Sequence, residues 1–227
     1  EQARSSIEGW LREFEAALSS QDADKIRKLF HEDCHWRDVL AFTWYYTALR
    51  GRDSIASSLA HQQKRTLARE FHLPYGRTQP RLVTRVGVQC IEGIFEFETA
   101  DGHGSGIRRL TSGVEGSDEP RAWHLSTTLQ SLRGHEEKIG KNRPTGSAYS
   151  RNFGGDNWEE VRKKAQDYDG RDPAVLVIGG AQAGLSIAAR LNQLGVDTLV
   201  VEKWPRIGDS WRKRYHSLAL HNSVELN

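Results

Sequence analysis

The stretch from Ala174 to Glu202 constrains this chain more than any other. A short apolar, β-branched run, Ala174-Val-Leu-Val-Ile178, leads directly into Gly179-Gly-Ala-Gln-Ala-Gly184, which opens a predicted helix through Leu191. A second apolar run, Thr198 to Val201, then ends at Glu202. Strand, glycine turn, helix and strand in that order predict a β-α-β unit with two parallel strands. The first glycine allows the tight turn, and the helix N-terminus offers unpaired N–H groups to a pyrophosphate. The acid after the second strand accepts from ribose hydroxyls, and Glu202 falls 23 residues beyond Gly179, the distance this geometry needs. A bare β-α-β unit without a ligand is the alternative.

Ahead of this unit the periodicity is different. Ile7, Trp10, Leu11, Phe14 and Leu18 form one stripe of a predicted helix over Ser5 to Ser19, with Ser5 and Glu8 spaced as a capping box. A second helix is predicted after Asp22, with Ile26, Leu29 and Phe30 on one face, and a third after Asp53, with Ile55 and Leu59 on one face. From Cys90 to Thr99 the pattern alternates, Ile91, Phe95 and Phe97 against Glu92, Glu96 and Glu98, and ends at the turn Asp101-Gly102. His103 to Thr111 and Ala122 to Leu132 read as partner strands across a turn-rich Gly113 to Pro120. Three helices followed by an antiparallel meander predict an α+β domain over 1–132. Residues 133–173 read as a linker with one short helix, Trp158 to Gln166, and with Tyr149, Phe153 and Trp158 pinning it to a domain surface. Residues 174–227 form the last segment.

At 227 residues the chain is long enough for one domain and part of a second. Lysine and arginine number 32 against 30 acids, without a long block of one sign, which argues against a nucleic-acid or membrane-surface partner. The two cysteines, Cys34 and Cys90, read as buried thiols, and a soluble cytoplasmic protein is expected. The absence of methionine, even at position 1, reads as a trimmed start. His31, Glu32, Asp33 and His35 straddle a helix end without convergent spacing, so no metal is expected.

Beyond Glu202 the run Arg206-Ile-Gly208-Asp-Ser-Trp211-Arg-Lys-Arg214-Tyr215-His-Ser217-Leu218 resembles the segment after the second strand of flavin-containing monooxygenases. The resemblance covers the last quarter of the chain and implies a Rossmann-type FAD-binding segment working with NADPH. It assigns cofactor contacts to Gly179, Gly180, Ala181, Gly184, Glu202, Lys203, Gly208 and Trp211, and to His221 and Asn222 in Leu220-His221-Asn222 near the flavin ring. Two departures stand out. Ala181 occupies the second glycine position of the fingerprint, where a methyl group is expected to weaken FAD binding. The family's fold also needs more strands than the two after the linker, so the FAD domain is read as truncated.

Phe30-His-Glu-Asp-Cys-His-Trp36-Arg37-Asp38, followed by Gly51-Arg52-Asp53, is similar to the helix-to-strand passage of ketosteroid-isomerase-like (SnoaL-like) cone domains. That resemblance implies three helices packed in a curved antiparallel sheet, a possible homodimer through the sheet, and a carboxylate base at Asp38 in an apolar pocket. A partner for Arg37 or Arg50 is the alternative reading of Asp38. Trp44, Tyr45 and Tyr46 are expected to line the pocket, and Arg108 and His124 to serve it. On 122–129, either Trp123 and Leu125 or His124 and Ser126 point inward. Three functions follow as expectations. The cone alone performs cofactor-independent isomerisation, dehydration or cyclisation on a small hydrophobic metabolite; or the chain belongs to an FAD- and NADPH-dependent monooxygenase; or it is a non-catalytic dimerising module.

Overall fold

The computed structural model describes residues 1–111, 120–146 and 154–217, and the chain divides into two units, Glu1–Gly134 and His135–Asn227. In the first, α1 (Gln2–Ser19) buries Ile7, Trp10, Leu11, Phe14 and Leu18, the stripe that the 3.6-residue period predicts. Its start differs from the expected capping box. The Ser5 N–H bonds to the Glu1 carbonyl at 3.0 Å, so Ser5 lies within the helix, and Glu8 pairs with Arg4 at 2.8 Å. Asp22 does cap α2 (Ala23–Lys28), accepting from the Asp24 and Lys25 N–H groups. The helix ends before Phe30, which begins β1 (Phe30–Val39).

The expected order of three helices and then strands is corrected here. β1 and β2 (Tyr46–Arg50) precede α3 (Arg52–Thr66), whose N-cap is Gly51 rather than Asp53. Three further strands, β3 (Arg69–His72), β4 (Arg81–Arg85) and β5 (Val88–Glu98), lead to β6 (Gly102–Thr111) and β7 (Arg121–Leu132). The sheet order is β2-β1-β7-β6-β5-β3, with β4 also pairing β5. It is mixed rather than antiparallel, because β1 runs parallel to β7. Phe95 and Phe97 face the core as the alternation predicts. The ambiguity on β7 is settled by an irregularity. Leu110 pairs with Ala122 but Arg109 with His124, so Trp123 is the extra residue of a bulge. Ala122, Leu125 and Thr127 are therefore all buried, and His124 takes the opposite face. Cys34 and Cys90 are buried free thiols.

The second unit begins with a 3₁₀ turn at Gly140–Asn142 and α4 (Trp158–Gln166), whose N-cap Asn157 completes a capping box with Glu160. β8 (Val175–Ile178), α5 (Gln182–Gln193) and β9 (Thr198–Val201) follow, the strands parallel in the register Val175↔Thr198 to Ile178↔Val201. A short α6 spans Asp209–Arg212. Trp158 is 74% exposed and does not pin the stretch before β8. That task falls to other groups: the Lys138 N–H on the Gln193 carbonyl, Arg190 on Glu137, and the Tyr168 hydroxyl and Arg171 on Asp197. Tyr149, Phe153 and the turn over 113–119 lie outside the described residues. No described helix is long and apolar enough to cross a membrane.

Candidate functional site

The β-α-β unit places its predicted residues together. Gly179 turns the chain out of β8 at φ +104, a left-handed conformation that glycine adopts without strain. Gly184 packs α5 onto that turn so closely that a Cβ would stand 1.8 Å from the Gly179 carbonyl oxygen. Ala181 is the N-cap of α5 at φ −89, a backbone angle open to any residue, so its methyl group brings no conformational strain. The first N–H groups of α5 have no carbonyl four residues earlier within the helix and point out of its end.

Glu202 closes the other side. Its Oε2 accepts from the Gly180 N–H at 2.6 Å and its Oε1 from the Trp204 N–H at 3.1 Å. These two bonds, the Gly180 bond foremost, hold its carboxyl below the usual glutamate range. A carboxylate offers about four lone-pair sites, so Glu202 keeps acceptor capacity for a diol. At the carboxyl ends of β8 and β9 lies an open cavity of about 760 Å³, lined by Ile178, Gly179, Ala181, Val201, Glu202, Lys203, Trp204, Ser210, Lys213 and Arg214. Trp204, Ser210 and Lys213 were not singled out from the sequence. The Lys213 ammonium lies 3.7 Å from the Trp204 ring centroid and that of Lys203 5.0 Å from it. The Ser210 hydroxyl is buried without a partner among the described residues. Gly208, at φ +84, starts α6, and Trp211 stacks on Tyr215 with centroids 6.3 Å apart. In α6, burial raises the Asp209 carboxyl but Arg212 and Arg206 outweigh it, so its pKa is lowered. His221 and Asn222 lie outside the described residues. The cavity thus combines a helix end with unpaired N–H groups, a carboxylate and an aromatic face flanked by cations.

The first unit distributes its candidates differently. Asp38 is buried, and donors surround its carboxylate: the N–H groups of Phe42 and Thr43, the Thr43 hydroxyl at 2.7 Å and the Thr127 hydroxyl at 2.6 Å. It anchors the turn between β1 and β2. Arg50, considered as its partner, pairs instead with Asp33 at 2.8 Å. Tyr46 is 79% exposed and Tyr45 also points outward, while Trp44 lies under the Arg65 guanidinium, so these aromatics do not line an interior pocket. Arg108 is fully buried on the inner face, where its Nη2 donates to the Ile7 carbonyl at 2.8 Å. His124 sits on the outer face beside Arg109 and His35. Burial, then Arg109, lowers its pKa. Asp38, Arg108 and His124 are not brought into contact. Among the described residues no cluster of His, Cys, Asp and Glu could hold a metal ion.

No protein-family profile matches the chain. A relative from Geobacillus kaustophilus (strain HTA426), an uncharacterized oxidoreductase described as CzcO-like, is 52% identical over 46 residues, 20% of this chain. The match spans 13% of that relative's length. Similar solved structures include a domain of unknown function with a cystatin-like fold from Nostoc punctiforme, 17% identical at a TM-score of 0.43, covering 56% of this chain and 77% of that one. An NTF2-like protein with a cystatin-like fold from Novosphingobium aromaticivorans is 14% identical at a TM-score of 0.40, over 56% and 82%.

Proposed function

We propose that the second unit is a Rossmann-type segment that binds the ADP half of FAD, and that the chain works within a flavin-dependent oxidoreductase of the monooxygenase kind, with NADPH as reductant. The observation that carries this reading is Glu202, held by the Gly180 N–H at the mouth of the cavity between two parallel strand ends. The donor and acceptor set fits the cofactor. The N-terminus of α5 suits the pyrophosphate, the remaining lone pairs of Glu202 suit the ribose diol, and Trp204 offers a flat face for a base. When bound, the flavin supplies hydride transfer and oxygen chemistry that no side chain offers. The short match to an oxidoreductase supports the same class. The first unit has no acid/base role in this proposal, because the Asp38 carboxylate is committed to Thr43, Phe42 and Thr127.

Titration of the whole chain with ADP and with FAD, followed by tryptophan fluorescence, tests the reading. Saturable binding of both is expected, and Glu202→Ala should weaken ADP binding about tenfold, the loss of one charge-assisted hydrogen bond. A folded Glu202→Ala chain that binds ADP as tightly as the parent, or a folded parent that binds neither ligand, overturns it.

A further inference from the structure

The inner face of the first unit holds a guanidinium with almost nothing to answer it. Arg108 is fully buried between two rings, its Cζ 5.2 Å from the Trp10 centroid and 5.3 Å from that of Phe95. Of its five donor hydrogens, the one aimed at the Ile7 carbonyl is the only one with a partner among the described residues. Nε and Nη1 reach neither a hydrogen-bond acceptor nor solvent. Burial drives its pKa well down. Two ring faces and one carbonyl offset only part of the desolvation of a cation in a core lined by Ile7, Trp10, Phe95 and Leu125, and a methionine would pack there without that penalty.

One residue occupies the space in front of this cation. Ile7 supplies the carbonyl that Nη2 reaches, and its side chain fills the space left by Gly93, the cross-strand neighbour of Arg108, where an added Cβ would stand 3.2 Å from it. Ile7 belongs to the first two turns of α1. Displacing that stretch would uncover the guanidinium and vacate the space that the Ile7 side chain fills.

We propose that Arg108 anchors a buried anion site in the first unit that takes the carboxylate of a small apolar molecule, with the first turns of α1 as its cover and the Ile7 carbonyl as the resident stand-in for the ligand. The guanidinium fork binds the carboxylate, and Trp10, Phe95 and Leu125 enclose the apolar tail. The site is independent of the nucleotide cavity and does not rest on the flavin reading.

The test is the thermal midpoint of the whole chain in millimolar hexanoate, beside hexanol and hexylamine as uncharged and cationic controls. Hexanoate alone is expected to raise the midpoint, by about 4 °C. Arg108→Met should unfold at the parent's temperature or higher without ligand, and lose the response to hexanoate. Ile7→Ala, which opens the same space, should respond more strongly than the parent. Equal effects of hexanoate and hexanol on the parent, or no effect of hexanoate, overturn the proposal whether or not the variants fold. So does an Arg108→Met chain that responds as the parent does. An Arg108→Met chain that melts many degrees lower and ignores hexanoate would make the guanidinium a structural pin for α1 instead.

Discussion

The two units turn apolar sequence into structure very differently. In the first, three helices and a seven-stranded sheet share one core, with Phe14, Phe30, Phe42, Phe95 and Phe97 buried and in ring contact with their neighbours. In the second, Val177, still 9% exposed, is the one apolar side chain among the described residues that is buried. Leu176 is 54% and Ile178 84% exposed, although strands of a parallel sheet are ordinarily covered on both faces. A two-stranded unit with one flanking helix cannot enclose its own strands, whereas a sheet with a helix layer can. The first unit is therefore the stable body of the described chain, and the second presents an open site.

Substitution at matched apolar positions gives the largest separation. Phe14→Ala should cost about 3–5 kcal/mol in denaturant-induced unfolding of the first unit. Leu185→Ala on α5, already 37% exposed, should change stability by less than about 1 kcal/mol. Similar losses from the two would break the contrast.

Acid sharpens it next. Glu92 accepts from Arg85 at 2.8 Å and from Arg109 at 2.9 Å, and these bonds, that from Arg85 first, hold its carboxyl down to about 2 against an ordinary 4.5. Its folded pKa is depressed, so the stabilisation is complete above pH 4.5 and is lost as pH falls through about 2. With the side chain only 13% exposed, the change amounts to about 2–3 kcal/mol. Unfolding free energies measured between pH 5 and 2 should flatten in Glu92→Gln. An unchanged slope would place the acid sensitivity elsewhere.

The smallest expected effect is a gain. The two-residue turn joining β4 to β5 puts Val86 at φ +51 and Gly87 at φ +77. A β-branched residue is strained in that left-handed conformation, and asparagine tolerates it. Val86→Asn should raise stability by about 0.5–1 kcal/mol, read as a higher denaturant midpoint. A loss would mean that the turn carries no such strain.

That turn also shows where sequence reading ends. β4 goes unpredicted because Val86-Gly87 lacks the Asn-Gly or Asp-Gly signal of a two-residue hairpin, although both residues adopt its backbone angles. β2 and β3 are short and largely exposed, so little apolar alternation marks them. The acid in the glycine-turn site was legible because one short crossover fixes strand end, turn and Glu202 together. Trp204 and Lys213 were not, since they meet only when the chain after β9 folds back.

By itself the sequence determined the α1 stripe, the Asp22 cap, the inward phenylalanines of β5 and the β-α-β order with its acid at the second strand end. Each of these depends on residues close in the chain, whose period, cap or turn chemistry is set locally. Only the tertiary structure decided that β1 runs parallel to β7, that the bulge at Trp123 turns His124 outward, and that Asp38 holds a turn while Nε and Nη1 of Arg108 find no partner among the described residues. The parallel pairing, the Thr127 bond to Asp38 and the Ile7 bond to Arg108 depend on partners 89 to 101 residues away, the bulge depends on the register of β6, and no local pattern encodes which strand or helix will arrive.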